Sequence, residues 1–110
     1  MEKIIDRFLR YVAFDTASNP DSQSQPSTNK QFALLEQLRK ELQDMGVEQV
    51  VVDKNGYLMA TIPSNIDKDI PAVGFISHVD TSPDAPGCGI RPRIVENYDG
   101  RTIILNEAKG

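Results

Sequence analysis

A run of apolar residues from Ala72 to Ile76, bounded by Pro71 before it and Ser77 after it, constrains this chain more than any other stretch. So short a run between turn signals reads as a strand buried on both faces. A strand of that kind demands neighbours along its edges and a covering layer on each side, so it predicts an α/β arrangement with this strand in the interior. Ligands of open α/β sheets sit at the carboxyl ends of the strands, and the first polar residues delivered there are Ser77, His78 and Asp80. In extended backbone, residues two apart share a face. His78 and Asp80 are therefore expected to converge, with Ser77 and Val79 on the opposite side.

An imidazole beside a carboxylate has a definite use. Neutral histidine can bind a metal through one ring nitrogen while a carboxylate accepts from the other N–H, fixing the tautomer and raising the basicity of the ligand. The same three letters also describe a satisfied histidine at a strand end next to a loop-capping aspartate. Both readings stand on the residues alone.

The balance of 16 acidic against 12 basic residues, a net charge of -4 with the basic residues dispersed, argues against a nucleic-acid surface. No stretch approaches the roughly 18 apolar residues of a membrane span, and Asp6, Arg7 and Arg10 interrupt the N-terminal apolar positions, so neither a membrane segment nor a signal peptide is expected. Cys88 is the single cysteine, in a Gly-Cys-Gly loop, which points to a reduced, cytoplasmic setting and to a solvent-facing thiol with no catalytic task. At 110 residues the chain suffices for one small domain.

Ile4, Ile5, Phe8, Leu9 and Val12 recur at helical spacing, predicting an amphipathic helix over residues 2–14 with one stripe on a core. Residues 15–27, rich in Ser, Asn, Gln and Pro, read as a surface loop. Thr28-Asn-Lys-Gln31 has the form of a capping box ahead of Phe32, Leu35, Leu38, Leu42 and Met45, so a helix is expected over 28–45, ended by Gly46 in a left-handed conformation. Residues 47–53 and 57–62 should pair antiparallel about Asn55-Gly56. The acidic bend in 63–71 reads as solvated, and 81–92, broken by Pro83, Pro86 and Pro92, should loop across the end of the sheet. Residues 93–96 and 102–105 are expected to form a second hairpin around Asn97-Tyr-Asp-Gly100. The final Glu107-Ala-Lys-Gly110 adds no closing element, and the domain reads as unfinished.

Taken together, several of these segments resemble one family. Arg7-Phe-Leu-Arg-Tyr-Val12 with Asp15-Thr16, Pro26-Ser-Thr28, Leu58-Met-Ala-Thr61, Gly74-Phe-Ile-Ser-His-Val-Asp-Thr-Ser-Pro-Asp84 and Ile94-Val-Glu-Asn-Tyr98 resemble the N-terminal segment of the peptidase T family, tripeptide aminopeptidases of the di-zinc exopeptidase and aminoacylase superfamily. The resemblance implies the N-terminal part of a three-layer α/β/α catalytic domain with a mixed sheet, the rest of that domain and a lid domain lying downstream. It makes His78 a zinc ligand and Asp80 the carboxylate that orients it, counted as catalytic in the family. It further implies two zinc ions in the complete enzyme, a tripeptide substrate that loses its N-terminal residue, and homodimers formed through the lid.

One histidine and one aspartate cannot hold a catalytic zinc, which takes three protein ligands and keeps one position open. This chain alone is accordingly expected to be inactive. Two rival readings share the same residues: a metal-dependent dipeptidase or deacylase using the same strand, and a non-catalytic, free-standing α/β module.

Overall fold

The computed structural model describes residues 2–105. Helix α1 spans Ile4–Tyr11 and helix α2 spans Gln31–Asp44, followed by strands β1, Gln49–Val52, and β2, Leu58–Thr61. Helices with a small sheet make this an α/β chain, the expected class. Among the described residues no helix is long and apolar enough to cross a membrane.

The organising unit is α2 lying against the β1–β2 hairpin. Leu34 and Leu35 of α2 and Val50 of β1 are its buried apolar residues, with Leu35 only 2% exposed, while Phe32, Leu38 and Leu42 are half-buried and Met45 is exposed. Strand pairing is antiparallel, Gln49 opposite Thr61 and Val52 opposite Leu58, so Val50 faces the helix while Val51 faces solvent. Gly46, at φ 87, ends α2 as expected: its N–H donates to the Gln43 carbonyl at 2.9 Å and that of Val47 to the Leu42 carbonyl at 3.0 Å, the paired bonds of a Schellman end. The hairpin turn is one residue longer than the two-residue form favoured by Asn-Gly. Asp53 and Tyr57 bracket Lys54-Asn-Gly56, Gly56 alone takes positive φ (82), and Oδ1 of Asp53 accepts from the N–H groups of Asn55 and Tyr57, both at 2.9 Å. The 15–27 loop leans on this turn. Gln25 Nε2 donates to the Tyr57 hydroxyl at 2.8 Å, and a Cβ on Gly56 would meet the ring of Pro26 at 3.2 Å; the Gln25–Pro26 peptide is cis.

Four expectations are corrected. The first helix is shorter than 2–14, and no residue of it is buried: Ile4 and Phe8 are exposed, and α1 is held to α2 by polar contacts to Glu41 instead of by an apolar stripe. The capping box at Thr28 does not form. Helix α2 begins after Lys30 without a side-chain cap, because the Thr28 hydroxyl donates to the Ala17 carbonyl at 2.9 Å and accepts from Gln31 Nε2 at 3.2 Å. Residues 72–77 are not a strand; Val73 is 79% exposed, Phe75 98% and Ile76 100%. A strand buried on both faces needs edge partners and two covering layers, and one hairpin and two short helices do not supply them. Residues 93–96 and 102–105 likewise form no ladder: Asn97 and Gly100 both take positive φ, and the segment is joined by the Arg93 guanidinium donating to the Ile104 carbonyl at 3.1 Å. Glu107–Gly110, expected to carry no closing element, lie outside the described residues.

Candidate metal-binding and catalytic residues

His78 and Asp80 meet as the two-residue spacing requires. Nδ1 of the imidazole lies 3.0 Å from Oδ1 of Asp80 and 2.9 Å from the Asp80 carbonyl oxygen. Two acceptors on one ring nitrogen favour the tautomer that carries its proton on Nδ1, and leave the Nε2 lone pair outward. The side chain of His78 is 84% exposed, so Nε2 faces open solvent, whereas Asp80 is half-buried. The pair is thus assembled, but on backbone outside any strand and not at the end of a sheet.

What anchors it comes from the other end of the chain. Thr81 forms a parallel bridge with Ala17: its N–H donates to the Thr16 carbonyl at 3.2 Å, and its own carbonyl accepts from the N–H of Ser18 at 2.9 Å and the Ser18 hydroxyl at 3.1 Å. Thr16, only 3% exposed, sits at the centre of this join. Asp15 braces it. Its Oδ1 accepts from the Ala17 N–H at 3.1 Å, and the Lys30 ammonium stands 2.9 Å away at the head of α2. Lys30, and after it the Ala17 N–H, hold the Asp15 carboxyl below the usual carboxylate range. Gly87 lies against the same carboxylate, where a Cβ would come within 2.8 Å of Oδ1 of Asp15.

Spacing and composition mark none of Asp15, Thr16, Lys30 or Gly87 as functional. The polar character of 15–27 reads as a free loop, and a contact between residues this far apart in sequence leaves no periodic trace. Cys88 is a free, exposed thiol, as expected. A second charged recess, between α1 and α2, is lined by Glu2, Arg7, Arg10, Lys40 and Glu41 and includes neither His78 nor Asp80. Among the described residues no group of three or more His, Cys, Asp or Glu is arranged to hold a metal ion. The donor set among the described residues therefore fits one ligand with its orienting carboxylate.

No family model matches the chain. Individual relatives do. It is 53% identical over 106 residues to the Peptidase T of Geobacillus sp. (strain WCH70), a match that takes in 96% of this chain and 26% of the relative. Identity is 52% over 109 residues to the Peptidase T of Clostridium acetobutylicum, and 50% over 105 residues to that of Aliivibrio salmonicida, covering 99% and 96% of this chain and 27% and 26% of those relatives. The chain thus spans about a quarter of the length of the relatives it matches.

Proposed function

Because this chain is homologous over nearly its whole length to the Peptidase T proteins, we propose that it is the N-terminal portion of the catalytic domain of a zinc-dependent aminopeptidase that releases the N-terminal residue from tripeptides. The observation that carries the reading is the His78–Asp80 pair, an imidazole held through Nδ1 with its other nitrogen outward.

When bound, zinc would supply Lewis acidity and a water of lowered pKa. His78 would bind it through Nε2. Asp80 would keep the imidazole in the liganding tautomer by accepting from Nδ1, and its negative charge would make Nε2 the better donor. The remaining ligands, the second zinc position and the general base would come from outside the described residues. So would a lid domain, homodimer contacts and whatever measures the length of the peptide. A cytoplasmic location accords with the lone reduced cysteine.

Expression of the complete open reading frame, with metal analysis and assays on a tripeptide, a dipeptide and an N-acyl amino acid, tests the reading. Release of the N-terminal residue from the tripeptide, lost on chelation and restored by zinc, is expected. Turnover confined to the dipeptide or the acyl amino acid would transfer the site to a dipeptidase or deacylase, and no metal-dependent turnover would leave a non-catalytic module.

A further inference from the structure

We propose that Asp15 is a positioning residue for the His78–Asp80 pair, acting through the Ala17–Thr81 bridge with Lys30 as its counter-ion. In treating that pair as part of a metal site, the proposal rests on the reading above.

Asp80 is followed directly by Thr81, and both backbone groups of Thr81 are tied to the segment 16–18. Fixing Thr81 fixes where the Asp80 carbonyl and carboxylate lie, and these are the two acceptors on His78 Nδ1. The segment 16–18 is itself held in three ways. Oδ1 of Asp15 takes the Ala17 N–H, Lys30 Nζ pairs with Asp15 at 2.9 Å, and the Thr28 hydroxyl donates to the Ala17 carbonyl at 2.9 Å. Lys30 and Thr28 stand at the head of α2, the helix that covers the core. Asp15 therefore links the packed unit of α2 and the hairpin to an otherwise exposed imidazole. Gly87 shows how closely this carboxylate is fitted, since even a methyl group there would displace its oxygen.

The imidazole is the only one in the sequence, so its ring nitrogens give a single set of signals in a long-range proton–nitrogen correlation spectrum of the labelled chain. At one slightly alkaline pH, the unaltered chain should show the Nδ1–H tautomer. In Asp15→Ala the tautomer should move toward Nε2–H, and the Thr81 amide should exchange with solvent about tenfold faster, while the amides of the β1–β2 hairpin keep their protection. Lys30→Met should shift both in the same direction by less, and Lys30→Arg should restore them. A folded Asp15→Ala chain that keeps the Nδ1–H tautomer would overturn the proposal, whatever happens to amide exchange. If Asp15→Ala also exposes the hairpin amides, Lys30→Met decides alone, and an unchanged tautomer there overturns it. No metal or peptide enters the measurement, so a complete protein without peptidase activity would leave this assignment standing.

Discussion

The hydroxyl of Tyr11 donates to Oε2 of Glu41, joining α1 to α2 across a gap of thirty residues. Arg10 Nε and Gln37 Nε2 both donate to Oε1 of the same carboxylate at 2.8 Å. Burial works to raise the Glu41 pKa, but the bonds from Tyr11, Gln37 and Arg10 outweigh it and bring it down to about 2. For Tyr11, burial comes first and the bond to Glu41 second, and the phenol is pushed up to about 12.

The two shifts set a window in pH. A carboxyl whose folded pKa is depressed contributes stability above its unfolded value, so the Glu41 contribution should fade as pH falls from the ordinary carboxylate range toward about 2. A phenol whose folded pKa is raised contributes below its unfolded value, and that part should be lost as pH rises through about 12. Urea unfolding across pH should show the acid arm flattened in Glu41→Gln. At neutral pH that variant should lose about 1–2 kcal/mol, allowing for screening at the partly exposed Arg10. Ultraviolet titration should show one of the three tyrosines ionising near 12, a step missing from Tyr11→Phe.

Gly56 is required by backbone and by space together. Its φ of 82 disfavours any side chain, and the Pro26 ring carbons lie 3.2 Å from where a Cβ would stand. Gly56→Ala should cost about 1–2 kcal/mol from the left-handed conformation alone. The urea midpoint would report it, together with loss of the Gln25–Tyr57 contact that brings the loop onto the turn.

Exposed Phe75 and Ile76, on backbone with no strand partner, should make this chain associate at high concentration. Sedimentation velocity should show mass rising with concentration, and Ile76→Lys should suppress the rise without changing the helix content. Equal association by both chains would remove these residues as the cause.

In the complete protein, His78→Ala should abolish activity and deplete zinc if His78 is the direct ligand proposed above. Asp80→Asn keeps the shape and loses the charge, and carboxylates that orient a liganding histidine are typically worth about 10- to 100-fold in affinity or activity. Turnover should fall more than zinc content. Wild-type turnover with normal zinc in Asp80→Asn would return Asp80 to the role of a loop cap.

The 110-residue chain by itself should keep no stoichiometric zinc through dialysis and hydrolyse no tripeptide, since its described residues offer no cluster of three ligands. Retention of one equivalent by a monomer would contradict this.

Local signals explain what was readable in the sequence. The α2 stripe, Gly46 and the Asp53–Tyr57 turn region each specify their own backbone within a few residues, and the hairpin follows from them. The convergence of His78 and Asp80 was equally readable, because two residues of separation is short enough for their side chains to meet even without the expected strand. The apolar run before them encodes a burial that needs partners elsewhere, and among the described residues it finds none. Thr28 shows a different failure: a residue suited to a cap was taken by a more distant carbonyl, at Ala17. The bracing by Asp15 depends on the same kind of long-range pairing, which no periodicity announces.

The Ala17–Thr81 bridge also implies an order of assembly. Ser18 and Thr81 are 63 residues apart, and closing a loop of that length from an unfolded chain costs about 4 kcal/mol beyond a constant, by the logarithmic law for loop closure. The three hydrogen bonds of the join return about 1 kcal/mol each. They cannot nucleate the encounter. Once α2 and the hairpin have folded, the part of this loop still free shrinks to the segments before Gln31 and after Thr61, and each halving of the loop lowers the cost by about 0.6 kcal/mol. His78 therefore acquires its oriented ring late in folding and loses it early in unfolding, which makes its tautomer a gauge of how completely the chain has closed on itself.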